Sequence, residues 1–513
     1  MSMEQVLPQG WAQTTLGQVT EVNPRVDLTA VPEDTPVSFV RMAAVEEESG
    51  RVDVSQVRPL SEVRRGYTVF QDGDVLFAKI TPCMENGKSA VVRELSFGIG
   101  FGSTEFHVLR PREGVDAYLL RYFLAQKSYR DAARSSMTGT AGQLRVPAAY
   151  LSSTPFPLPP LAEQRRIVAA IEEQFTRLDA GVAAVKRAQA TLKRYRAAVL
   201  KAAVEGKLTA SWRLQHPDVQ PASELLADIL AERRARWEAD LRAKGKDPAK
   251  AKYDEPQSPK TEELPELPQG WVWATLDQVS LLQRGRFSIR PRNDPRYYGG
   301  AFPFLQIGDL PQDGGEIRGY RQTLNDAGYQ VSREFPAGTV LISIAASIGA
   351  TGILTFAACF PDSIVGATCA LLTTARYVEM LLRVNRHELQ ANAYASGGQP
   401  NISLPVLASV LVPFPPVDEQ EQVVAEVEQR LSVVSALEAT IAANLKRAER
   451  LRQAILERAF TGRLVPQNPA DEPASALLER VWQEREDRRA SGRAAVVETS
   501  PTLWAQSKAY GNP

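Results

Sequence analysis

The densest concentration of chemistry-bearing side chains lies in QRGRFSIRPRNDPRYY, residues 283–298. There Arg284, Arg286, Arg290, Arg292 and Arg296 are interleaved with Phe287, Tyr297 and Tyr298. Guanidinium forks suit phosphate oxygens and purine edges, and aromatic rings stack on bases. A second group, Lys79, Thr81, Asn86 and Lys88, sits in KITPCMENGK (79–88), behind an apolar run. A third, Gln143 and Arg145, sits in GTAGQLR (139–145); a fourth, Gln399 and Asn401, sits in GGQPN (397–401), 256 positions further on. Reading base edges calls for Arg, Lys, Asn or Gln, and gripping phosphates calls for Arg, Lys, Ser or Thr. Each group also has a plainer reading. A charged loop is commonly just a solvated face, and GGQPN also reads as a turn ahead of a strand.

No catalytic constellation accompanies them. FGIGFG (97–102) resembles the glycine loop of nucleotide and methyl-donor sites, but TEFHVLR after it reads as a strand, whereas the motif needs a helix. NGKS (86–89) resembles the tail of a phosphate-binding loop, but Pro82 stands where that loop needs glycine. His107, His216 and His387 have no metal partner at ligand spacing, and His107 lies in an alternating, strand-like stretch that suits a structural role. No GxSxG, HExxH or amino-methyltransferase motif is present. Cys83, Cys359 and Cys369 form no CxxC pair and read as buried thiols in a reducing compartment. A chain of 513 residues with these gaps reads as a binder or scaffold. Lys+Arg and Asp+Glu number 60 each, which argues against a wholly basic coat while leaving room for a local basic face. The opening MSMEQVLPQG has no apolar core, and no run reaches 18 apolar residues, so a cytoplasmic protein is expected.

The elements that must position these groups come in two copies. LPQGWAQTTLGQV (7–19) returns as LPQGWVWATLDQV (267–279), identical at nine of 13 positions. PLPPLAEQ (157–164) returns as PFPPVDEQ (413–420), AAVLKAAVEGKL as QAILERAFTGRL, and PASELLADILAERRARWE (221–238) as PASALLERVWQEREDRRA (473–490). A period of half the chain means a duplicated unit. Each copy begins with strand-like runs (YTVF, DVLFAKI and TEFHVLR; TVLISIA and GATCALL) and reaches a proline cluster. A long helix follows. From Leu161 to Gly206 no proline occurs, and Leu178, Val182, Val185, Leu192, Val199 and Ala203 form a heptad seam interrupted by Gln189 and Arg196. Val424, Val427, Leu431, Val434, Ile441 and Leu445 repeat it, interrupted by Glu438. Gly206 and Gly462 stand where left-handed helix caps belong. Two such helices, each roughly 65–70 Å long, suit mutual packing. The charged segments after them read as flexible tethers with short helices.

The order of these motifs resembles the specificity subunit of type I restriction-modification systems. The likeness is carried by LPQGW, by P-x-P-P-x-x-E-Q, by the helix ends and by GDVLFAKITPCMENGK (73–88) with its counterpart AGTVLISIAASIGATG (337–352). The resemblance implies an α+β chain: two similar mixed α/β target-recognition domains separated by two long helices packed as an antiparallel coiled coil, a pseudo-two-fold internal repeat. The expected boundaries are 1–156 and 267–412 for the recognition domains, 157–208 and 413–464 for the helices, 209–266 for a linker and 465–513 for a tail. It implies a non-catalytic subunit that reads a split target in double-stranded DNA. Two modification (methyltransferase) subunits and restriction motor-nuclease subunits would dock on it, with no membrane involved. S-adenosylmethionine, ATP and magnesium would sit on those partners, with no cofactor or metal in this chain. Under this reading the residues of the four groups above are the candidate DNA contacts. The alternatives are part of a fused methyltransferase-nuclease, which calls for a longer chain with a methyl-transfer motif, and a coiled-coil scaffold with no nucleic acid.

Overall fold

A computed structural model describes residues 7–140, 142–394 and 401–490. The chain forms two compact units, Met1–Val185 with Ala443–Pro513, and Lys186–Ala442. Each unit holds one globular domain, the leading half of the long helix that follows it, and the closing half of the other long helix.

In the first domain an antiparallel sheet orders Thr20–Val22, Phe106–Pro111, Val75–Ala78 and Ser89–Val91. A second sheet orders Val57–Pro59, Pro36–Val40, Ile99–Gly102 and Thr68–Gln71, with a parallel pair at its centre that sets Ser38 opposite Gly100. The second domain repeats the plan. Its first sheet orders Ser280–Arg284, Ile364–Cys369, Val340–Ser343, Thr351–Leu354 and Glu316–Ile317. Its second orders Gln322–Leu324, Tyr298–Phe304, Ala358–Cys359 and Glu334–Phe335, again with a central parallel pair. Val75, Leu76, Phe77 and Ala78 are all buried, as a short continuous apolar run requires of a strand covered on both faces. Two of the FGIGFG glycines, Gly100 and Gly102, serve packing. A Cβ on Gly100 would stand 2.1 Å from the Phe70 ring, and one on Gly102 would stand 2.5 Å from the Val40 carbonyl. His107 is buried, its Nε2 2.8 Å from the Val146 carbonyl and its Nδ1 3.1 Å from the Asn23 amide.

Each domain closes by pairing its first strand with its last, Ala12–Thr15 with Pro155–Leu158 and Val272–Thr275 with Leu411–Phe414. The long helices follow at once, Leu161–Val204 and Val417–Phe460, 44 residues each. Gly206 (φ +65°) and Gly462 (φ +68°) end them. The Lys207 N–H bonds the Ala202 carbonyl and the Arg463 N–H bonds the Arg458 carbonyl, the six-to-one bond of a Schellman cap. The seam is the least exposed stripe of each helix: Val199, Ala203, Val424, Val427, Leu431, Val434 and Ile441 are buried, and Leu178, Val182, Val185, Leu192 and Leu445 are half-buried. Two of its polar interruptions meet each other, since Arg196 Nη2 donates to Glu438 at 2.9 Å. In the first unit Glu163 meets Gln467 while Asp179 meets Arg452; in the second Thr209 meets Glu419 while Arg196 meets Glu438. Rising numbers facing falling ones make the pairing antiparallel in both units.

The repeated LPQGW is a turn that receives a helix. In both copies the Trp N–H donates to the Pro carbonyl at 3.1 Å, with Gly10 at φ +81° and Gly270 at φ +82°, the positive φ that a type II turn needs at its third residue. The Gly10 carbonyl accepts from Ala474 and the Gly270 carbonyl from Ala222, both at 2.9 Å, which satisfies an N–H at a helix start. The helices so received, Ala222–Ala243 and Ala474–Ala490, fall where short charged helices are expected, but their docking corrects the reading of these helices as parts of tethers. Ala222 and Ile229 join the second core; Ala474, Leu477, Leu478 and Val481 join the first. At roughly 1.5–3 kcal/mol per large buried apolar side chain, this docking outweighs the charged flanks that suggested a free linker. The helix that follows the first long helix in sequence thus serves the second domain, and the helix after the second long helix serves the first.

Candidate nucleic-acid interface

In the first domain two of the candidate stretches lie about sixty residues apart in sequence, and the backbone joins them. Residues 79–81 leave the strand Val75–Ala78 and run beside the hairpin Thr138–Thr140 and Gln143–Arg145. The Thr81 N–H bonds the Leu144 carbonyl at 3.0 Å, the Val146 N–H bonds the Lys79 carbonyl at 2.9 Å, and Ile80 bridges Arg145. Thr81 Oγ1 accepts from the Leu144 N–H at 3.2 Å. Lys79, Thr81, Gln143 and Arg145 therefore share one patch. Thr138, Gly139, Thr140, Gly142 and Gln143 are exposed on it.

Glu105, which the sequence reading missed, lies at the base of this patch. Its carboxylate accepts Arg145 Nε at 2.9 Å and Nη2 at 2.8 Å, and those bonds hold the carboxyl below the usual range. Nothing local in TEFHVLR announces this pairing. Asn86 and Lys88 go elsewhere. Asn86 Nδ2 donates to Glu47 at 2.8 Å and Lys88 Nζ to the Met42 carbonyl at 3.3 Å, so both hold the turn at 82–88 against residues 42–48. Arg130, also missed, reinforces that turn through the Glu85 carbonyl at 2.7 Å.

In the second domain Asn401 bridges Ala345, and the Ile402 N–H bonds the Ile344 carbonyl at 3.0 Å. This repeats the arrangement of Arg145 with Ile80 and of Val146 with Lys79: Asn401 and Ile402 stand 256 positions after Arg145 and Val146, and Ala345 and Ile344 stand 265 after Ile80 and Lys79. Gln399 lies outside the described residues. The arginine-rich stretch folds on itself. Its aromatics turn inward: Phe287 is buried with Phe304 and Leu324, and Tyr297 and Tyr298 pack against that cluster. Arg286 donates to the Ser332 carbonyl at 2.7 Å, Arg290 to the Ile289 carbonyl at 2.9 Å, Arg292 to Asp362 at 2.6 Å and Arg296 to Asp294 at 2.7 Å. The Arg284 side chain has no hydrogen-bond or ion-pair partner among the described residues. The stretch is a braced loop with carboxylates among its arginines, and its exposed arginines are Arg286, Arg290, Arg292 and Arg296.

Among the described residues no group of three or more His, Cys, Asp and Glu is placed to hold a metal, and no helix is long and apolar enough to cross a membrane. Burial pushes the Cys369 thiol up to about 12, away from reactivity.

The sequence profile of the family described as Type I restriction modification DNA specificity domain matches residues 8–186 and 268–447. The EcoAI and EcoEI type I restriction enzyme specificity subunits of Escherichia coli are each 33% identical, over 318 and 320 residues, 53% of this chain and 51% of theirs. The chain thus spans about half the length of these two relatives. The EcoKI specificity subunit of Escherichia coli strain K12 is 25% identical over 507 residues, 93% of this chain and 96% of that one. Among solved structures, a chain from work on complex assembly and conformational transition of the type I restriction-modification system aligns with TM-score 0.66 at 24% identity, covering 89% of this chain and 99% of that one. The HsdS subunit from Thermoanaerobacter tengcongensis aligns with TM-score 0.50 at 22% identity, covering 89% and 98%. These structures share the fold: two mixed domains and two long helices. The two profile matches fall on the two repeats and together cover more than half the residues, so the chain belongs to the type I restriction modification DNA specificity family, with two copies of the domain.

Proposed function

We propose that this chain reads a bipartite DNA target for a type I restriction-modification complex and catalyses nothing itself. One observation carries the reading: a single framework occurs twice, with the same sheets, turn and helix joint, and with unlike loops where base contacts would be made. Residues 1–156 and 267–412 would be the reading heads, and 157–208 and 413–464 the helical scaffold that carries them. Of the candidate contacts, Lys79, Thr81, Gln143 and Arg145 form the first head's patch. Arg284, the exposed arginines to Arg296 and Asn401 are the second head's candidates, with Gln399 as the sequence counterpart of Gln143. Asn86 and Lys88 act by shaping the first patch.

Two modification subunits carrying S-adenosylmethionine would dock on this scaffold, and motor-nuclease subunits using ATP and magnesium would join them. The partners would supply much of the phosphate grip, in keeping with a chain of zero net charge. Such a complex works on cytoplasmic DNA. The test is co-expression with and without a modification subunit, read by methylation-aware sequencing. Adenine methylation at one split motif, present only in the mixture, supports the proposal; unchanged methylation in a strain lacking this gene refutes it. Lys79→Ala is expected to weaken binding at all sequences alike and to lower the salt slope by about one.

A further inference from the structure

We infer that Arg145 reads a guanine in the half-site facing the first domain, and that Glu105 holds it in position to do so. The inference rests on the DNA-reading function proposed above. The hairpin that ends at Arg145 is a two-stranded ribbon, the shape a major groove admits. Its exposed members Thr138, Gly139, Thr140, Gly142 and Gln143 carry no charge, so nothing on them repels a phosphate backbone. Its root is fixed by the backbone bonds of Thr81 and Val146.

Arg145 has five N–H groups. Glu105 takes Nε and one hydrogen of Nη2, and the Gln143 carbonyl takes one from Nη1 at 3.0 Å. One N–H remains on each Nη, a pair that matches guanine O6 and N7. The Arg145 side chain is 39% exposed, so a ligand can reach that pair. Two features favour a base over a phosphate. A carboxylate held 2.8 Å from the guanidinium repels a second anion and leaves a neutral base edge acceptable. An arginine already braced at three N–H groups also loses little rotamer freedom on docking.

The experiment uses the full chain assembled with its modification subunit and a panel of duplexes in which each base pair of the target is replaced in turn. Arg145→Ala should remove discrimination at one G·C position by roughly 5–150-fold, the range of a single mismatched pair, and leave the other positions ranked as before. Arg145→Lys keeps the charge but not the fork, so it should lose the same discrimination with an unchanged salt slope; it also serves if the alanine variant fails to fold. Glu105→Gln should blunt that one preference without altering the rest. Even weakening on every duplex with a shallower salt slope would mark Arg145 as a phosphate contact, and unchanged binding would mark it as solvent-facing. Either result overturns the assignment and leaves the proposed function standing. A wild-type complex that ranks no duplex above another overturns both.

Discussion

Glu163 and Glu419 stand at the same place in the two repeats, in the first turn of a long helix beside the tryptophan of LPQGW. Both are 1% exposed. Their surroundings differ. Glu419 receives Arg213 Nη2 at 2.6 Å, Thr209 Oγ1 at 2.6 Å and Trp271 Nε1 at 2.8 Å. At the offset of 256, Thr209 and Arg213 fall on Val465 and Pro469. Glu163 is left with the neutral amide of Gln467 at 3.3 Å, while Arg166 in the next turn is taken by Asp471 at 2.6 Å. Burial pushes the Glu163 carboxyl above its usual range, with Trp11, Gln467 and Arg166 pulling it partly back. The neighbouring glutamine keeps one bond in both: Gln164 Nε2 donates to the Pro159 carbonyl at 3.0 Å and Gln420 Nε2 to the Pro415 carbonyl at 2.9 Å. The buried glutamate of this joint is therefore met by a cation in one repeat and by a neutral amide in the other. A buried carboxylate is tolerable in either setting, but only one of them depends on its charge.

The largest effect expected from this contrast is on Glu419→Gln. It leaves the Arg213 guanidinium, 20% exposed, without its counter-charge, and should destabilise the second joint by about 3 kcal/mol. Hydrogen exchange over residues 268–279 reports it locally, which matters because a two-unit chain need not unfold in one step. An equal loss over residues 8–19 from Glu163→Gln would erase the contrast.

Next come Gly206→Ala and Gly462→Ala. Each puts a Cβ at positive φ and against a proline of LPQGW, 2.6 Å from Pro268 and 2.2 Å from Pro8 respectively. Each should cost about 2–3 kcal/mol at its own joint. A helix end that melts without loosening the LPQGW turn would show the two to be independent.

Glu163→Gln comes third. Above the folded pKa it removes a buried charge that has no ion-pair partner, and it should be neutral or stabilising by up to about 1 kcal/mol. The pH dependence has a definite sign. A carboxyl raised in the fold binds more protons folded than unfolded, so the first joint gains stability as pH falls through the folded pKa toward the unfolded value near about 4.3. The advantage of the glutamine should shrink over that window and vanish below it; an advantage that grows in acid would refute the assignment.

The smallest effect concerns Arg196 and Glu438, 20% and 31% exposed. A double-mutant cycle should give a coupling of roughly 0.5–1 kcal/mol, and a value near zero would make this pair an ornament on the seam.

How far the sequence carried depended on the range of the interaction. The seam Leu178 to Ala203, the caps at Gly206 and Gly462 and the strands at 75–78 and 340–343 were legible because spacing, glycine and apolar runs act within a few residues of themselves. The match between GDVLFAKI and AGTVLISI was legible too, and Gly73 and Gly338 make the same positive-φ turn before it. At the candidate interface, Lys79, Thr81 and Arg145 could be named by type, but not brought together. The arginines from Arg286 to Arg296 looked available until Asp294, Asp362 and the Ser332 carbonyl were seen to occupy them.

The sequence by itself determined the duplication, the length and termination of both long helices, and the residue types at each joint, since local hydrogen bonding and side-chain periodicity encode these. Tertiary structure alone decided that each trailing helix docks on the domain of the other repeat. It alone decided that Glu105 claims Arg145 across 40 residues, and that Arg213 neutralises Glu419 while Glu163 goes without. Those outcomes depend on which surfaces meet once the backbone has folded, and no pattern of neighbours along a chain specifies that meeting.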